Sequence, residues 1–148
     1  MLAEFQQALA DLTASPELCV AVRSDPSVLD ARYRLTPRET DRLVGIVRHP
    51  GMQCACIVYR ANRLAPLALN VPGLCKALGS QLRAVASEYW AAFPEANVHF
   101  YVEADRFCRY VNGLLCEGRP LDAAVGPVLA HESAVVAAAL EDSRTEGP

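Results

Sequence analysis

Apolar residues recur every three or four positions along most of this chain, the spacing of helices that bury one face. Leu2, Phe5, Leu9 and Leu12 make a first stripe, and Leu43, Val44 and Val47 another. The longest comprises Phe100, Ala104, Phe107, Cys108, Val111, Leu114 and Leu115, with Glu103, Asp105, Arg106 and Arg109 placed off it. In "NVHFYV" a short extended piece competes with the start of that helix.

Start and stop signals bound the stripes. "SPELCVAV" offers Ser15 as an N-cap and Pro16 at the first helical position, and "SDPSVLDA" repeats the signal more weakly. "TPRE" reads as a capping box, with Thr36 capping and Glu39 reaching back. A helix from Met52 to Leu64 should stop or kink before Pro66, where proline removes a backbone donor. "NVPGLCKALG" predicts a short helix after Pro72. Ser80 would cap the next, which Pro94 ends, and Leu121 to Leu140 gives the last. The sum is an all-α fold, a single compact bundle of seven or eight short helices over residues 1–140, followed by a disordered tail at 141–148. No repeat and no linker divides it.

Composition narrows the class. The 148 residues are 52% hydrophobic, enough for a core. They contain no apolar run of membrane-spanning length. "MLAEFQQALADL" lacks the basic start of a secretory signal, so a cytoplasmic setting with reduced cysteines is expected. The net charge of −3 argues against nonspecific nucleic-acid binding. Charge is uneven, however: seven arginines lie between Arg32 and Arg63 against only Glu39 and Asp41.

Candidate chemistry is thin. Cys54 and Cys56 project about 200° apart around a helix and cannot chelate one ion together. Cys19, Cys75, Cys108 and Cys116 form no zinc-type pair, so packing is their ordinary role. His49, His99 and His131 stand in no nucleophile or metal motif. No catalytic residue, metal or cofactor is assigned. A contact surface is the better prospect: Cys56, Tyr59 with Arg60, Arg63 and Leu67 align on one side of the predicted helix, with Asn62 three after Tyr59. Tyrosine and arginine are favoured in interfaces. Against this, Arg60 and Arg63 can equally cap carbonyls or pair with internal carboxylates.

The stretch "CIVYRANRLAPLALNVPGLCKALGSQLRAVASEYWAAFP" resembles the HvfC/BufC family of ribosomal-peptide maturation accessory proteins. Val58, Tyr59, Arg60 and Asn62 match its V-Y-R-x-N run, Pro72 its proline, Leu78 and Gly79 its leucine–glycine step, and Tyr89 and Pro94 the close of its next helix. "EADRFCRYV" and "LAHESAVVAAAL", with Glu132, look like its later helices, so the likeness covers Gly51 to Leu140. It implies a non-catalytic recognition subunit beside a TIM-barrel, multi-iron oxidative enzyme, as in methanobactin biosynthesis, that binds the enzyme, the precursor peptide or both. On that reading Tyr59, Arg60, Asn62, Arg63, Arg38 and Arg42 contact the partner, and the arginine-rich window suits an acidic peptide or enzyme rim. The segment Asp25 to Pro50, with Asp25-Pro26, Leu35-Thr36 and Glu39, also looks like small helical subunits of ring-opening dioxygenases. Two other classes stay open: a DNA-binding or regulatory domain reading through Arg38 and Arg42, and a self-contained enzyme using a cysteine thiolate or a metal.

Overall fold

The computed structural model describes residues 2–95, 97 and 99–145, and among them the fold is all-α, with no strand. The helices are α1 (Leu2–Ala14), α2 (Pro16–Ser24), α3 (Ser27–Arg32), α4 (Pro37–Arg48), α5 (Pro50–Asn70), α6 (Pro72–Leu78), α7 (Leu82–Ala92), α8 (Phe100–Cys116) and α9 (Val125–Thr145). A 3₁₀ turn at Gly79–Gln81 precedes α7. The chain divides into two compact units, Met1–Asn62 and Arg63–Pro148, and each encloses its own apolar cluster.

The division falls inside α5, which runs unbroken through Pro66 instead of ending near Leu64. Pro66 has no N–H to give the Asn62 carbonyl one turn back, so the helical ladder is weakest where the units meet in sequence. Asn70 steadies the following turn by donating its Nδ2 to the Pro66 carbonyl at 2.7 Å.

In the first unit, Ala8, Leu12, Leu18, Val22, Leu29, Leu43, Val47 and Cys56 are buried together. The predicted caps form. Ser15 Oγ accepts from the Leu18 N–H at 3.1 Å, and the Thr36–Glu39 capping box closes in both directions, with Thr36 N–H donating to Glu39 at 2.8 Å. Pro16 creates a second need. The Leu12 carbonyl would ordinarily accept from residue 16, which as proline carries no donor. The Cys19 and Cys56 thiols supply the hydrogen bonds instead, at 3.1 and 3.5 Å. Those two buried cysteines therefore finish the end of α1.

In the second unit, Tyr89 and Phe107 lie at the centre of the core in an edge-on ring contact, surrounded by Leu67, Leu74, Val111 and Leu129. Ser80 does not cap α7. It sits in the 3₁₀ turn, which Gly79 enters with a φ of 50°. Glu132 of α9 accepts from the Gly73 and Leu74 N–H groups at 2.8 and 2.7 Å and so caps α6 from another helix. A Cβ at Gly73 would stand 2.7 Å from a Glu132 carboxylate oxygen, so any larger residue there displaces the capping side chain. α9 starts later than Leu121 and extends through Thr145, into the segment expected as tail; residues 146–148 lie outside the described residues, as does Val98 in "NVHFYV".

Candidate partner-docking surfaces

On the side of α5 that aligns Cys56, Tyr59 with Arg60, Arg63 and Leu67, Cys56 is buried in the first unit and Arg63 and Leu67 in the second, while Tyr59 and Arg60 are half-buried. For Arg63 this corrects the expected surface contact, while Tyr59 and Arg60 keep partly exposed positions and Asn62 is exposed. The opposite side carries Cys54, Ile57, Val58, Ala61 and Asn62, all exposed, with Ile57 at 61% and Val58 at 58%. Positions 54, 57, 58 and 61 follow helical spacing, so they make one apolar strip within the first unit.

Arg63 in particular does not reach the surface. Its guanidinium pairs with Glu103 at 3.0 Å and donates to the carbonyls of Pro94 and Phe93 at 3.0 and 2.9 Å, while standing 5.9 Å from the Trp90 ring centre. Glu103, only 1% exposed, also accepts from the Asn97 N–H at 3.3 Å and has Arg106 at 3.8 Å. A buried ion pair depends on further hydrogen bonds to offset desolvation, and the loop after α7 supplies three of them here. The pair thus ties α5, α8 and that loop together inside the second unit. Burial pushes the Tyr89 hydroxyl well above its ordinary range, with the Glu103 charge as a further cause; the hydroxyl donates to the Glu103 carbonyl at 3.4 Å.

The sequence placed Glu103 off the stripe. It is on it: positions 103, 107 and 111 are one turn apart, and the carboxylate occupies a core position because Arg63 meets it there. The spacing carried that signal, but a glutamate without a visible partner reads as solvent-facing.

Arg60 has a surface ion pair, donating to both Glu17 oxygens at 3.2 Å. The contact helps hold the Glu17 carboxyl below its usual range, behind the larger effect of a backbone hydrogen bond. The arginines of α4 differ. Arg38, Arg42 and Arg48 are exposed along one side of the helix, at positions 38, 42 and 48, and none of the ion pairs among the described residues includes them. In the second unit, by contrast, Arg63, Arg106, Arg109 and Arg119 each face a carboxylate.

Other sites are modest. A cleft of about 480 Å³ lies between α8 and α9, with Asp105, Arg109 and Asn112 on one wall and Gly126, Leu129 and Ser133 on the other. The Asp105–Arg109 pair, 2.7 Å, spans one turn of its rim. Among the described residues no group of three or more His, Cys, Asp or Glu is placed to hold a metal ion. Cys54 is exposed and Cys56 buried, so the C-x-C sulfurs point apart. His49 accepts from the Gly51 N–H at 3.0 Å, at the start of α5. No described helix is long and apolar enough to cross a membrane.

No family model, no curated protein and no solved structure matches this chain.

Proposed function

We propose that this chain is a non-catalytic accessory subunit that docks onto a larger partner, a TIM-barrel multi-iron oxidative enzyme or its precursor peptide in ribosomal peptide maturation. The observation that supports this reading is the uncovered strip on α5, where Ile57 and Val58, the latter the first residue of the family-like run, stand in solvent beside Ala61 and Asn62. Apolar side chains grouped on one helix face gain free energy when a partner covers them, about 25 cal/mol per Å² of apolar area. Arg38 and Arg42, without carboxylate partners of their own in an ion pair, add an electrostatic component for an acidic rim or peptide.

The test is affinity capture of the tagged full chain from its native host. Retention of a large iron enzyme or a short cysteine-bearing peptide, lost on Ile57→Asp with Val58→Asp, is the expected result. Retention of nucleic acid alone at low salt, or of neither class, would sink the proposal.

A further inference from the structure

Two of the six cysteines are placed in a way that packing alone does not require. Cys19 on α2 and Cys56 on α5 are 37 positions apart in sequence, yet both thiols point at one oxygen, the carbonyl of Leu12, at 3.1 and 3.5 Å. Their sulfurs can therefore be no farther apart than those two distances laid end to end. Each is nearly sealed from solvent, at 1% and 4% exposure. The convergence has a cause in the chain itself: Pro16 deprives the Leu12 carbonyl of its helical donor, and two thiols are drawn to the vacancy.

We infer that Cys19 and Cys56 form a redox-sensitive pair, able to close into a disulfide that staples α2 to α5 at the expense of the α1 terminus. With a small disulfide such as oxidised glutathione as oxidant, one protein thiolate attacks its S–S bond and releases one glutathione thiol. The second protein thiolate then attacks the mixed disulfide and releases the other. Both protein thiol protons end on glutathione, which takes up the two electrons that the protein sulfurs give. Bond formation turns both sulfurs away from Leu12, whose carbonyl then has neither thiol, and Pro16 offers no N–H in their place. Oxidation thus tightens the α2–α5 connection and loosens the last turn of α1.

Burial sets the rate. It pushes the Cys19 thiol up to about 11, with Cys56 adding to the effect, so little thiolate exists at neutral pH and the reaction waits on local opening. Cys54 and Cys116, which are exposed, take up glutathione as mixed disulfides first.

The experiment is incubation of the full chain with oxidised glutathione at pH 7 and pH 9, followed by intact mass measurement and proteolytic mapping without reduction. The expected result is a linked Cys19–Cys56 peptide pair two hydrogen masses lighter than the two reduced peptides, forming faster at pH 9, with glutathione adducts confined to Cys54 and Cys116 and with Cys75 and Cys108 still reduced. Amide exchange should quicken in residues 11–14 of the oxidised form. A Cys54→Ser, Cys116→Ser variant removes the competing sites and should give the same linkage. Recovery of Cys19 and Cys56 as thiols after both incubations overturns the inference, as does a linkage that joins either of them to another cysteine.

Discussion

Arg63 and Glu103 show how strongly one residue's role depends on a partner far along the chain. Each is a charge in a nearly dry setting: Arg63 is stabilised by Glu103 and by the carbonyls of Phe93 and Pro94, and Glu103 by Arg63 and the Asn97 N–H. Removing one leaves the other buried and uncompensated, a cost of about 3–5 kcal/mol. Glu103→Ala should therefore lower the urea midpoint sharply. The double replacement Arg63→Met, Glu103→Leu should recover much of that loss, because the apolar pair needs no desolvation. A double-mutant cycle that gave additive losses would contradict this account. Gly73 is a second residue with a tertiary reason. Gly73→Ala places a methyl against the Glu132 carboxylate and should cost about 1–3 kcal/mol by thermal unfolding, as overpacking does. The same change beside Glu132→Ala should cost less, since the obstructing group is gone.

At the scale of elements, α4 is the clearest case of local sequence setting local structure. Thr36, Pro37 and Glu39 start the helix as their spacing foretold, and Leu43 and Val47 turn inward. Thr36→Ala should destabilise the chain by about 1 kcal/mol, the usual loss for an N-cap. The box also predicts a pH dependence. The backbone and side-chain hydrogen bonds from Thr36 hold the Glu39 carboxyl below its unfolded value. A depressed folded value means stability that is full above the unfolded carboxylate range and is lost as pH falls through the folded one. Circular dichroism melts should show the acid-side loss of stability shrinking in Glu39→Gln, which cannot titrate. A wild-type and variant profile that ran parallel below pH 5 would refute the assignment. α5 teaches the opposite lesson. Proline at position 66 predicted a stop, yet the helix continues, since Leu67 and Val71 beyond it are wholly buried and their packing outweighs one lost hydrogen bond.

For the molecule as a whole, two cores joined by a continuous helix imply two regions of protection. Leu29→Ala removes a wholly buried side chain from the first unit and should cost about 2–5 kcal/mol there. Native-state amide exchange should then quicken more in residues 2–62 than in α8 and α9; equal acceleration throughout would mean one cooperative core. The docking strip makes a complementary prediction. Ile57→Asp and Val58→Asp lie on exposed positions, so each should leave unfolding free energy within about 0.5 kcal/mol while partner capture disappears.

What the sequence determined by itself is the part governed by short-range chemistry. Helical spacing gave the all-α class, Ser15 and Thr36 gave helix starts, and Leu12, Leu43, Phe107 and Val111 gave core positions, because each rests on neighbours within a turn or two. The placement of Val58 to Asn62 on a helix was also visible in the sequence. Which of its sides is exposed was not, since a helix with apolar residues all round offers two candidate inner faces. Only the tertiary structure chose: Cys56 completes the Leu12 carbonyl, Arg63 meets Glu103 forty positions on, and those contacts turn Tyr59 and Arg60 partly inward and leave Ile57 and Val58 outside. Glu132 capping α6 belongs to the same class. Its carboxylate and the N–H groups of Gly73 and Leu74 are 59 and 58 positions apart, a distance at which spacing carries no information and only the packed chain brings donor to acceptor.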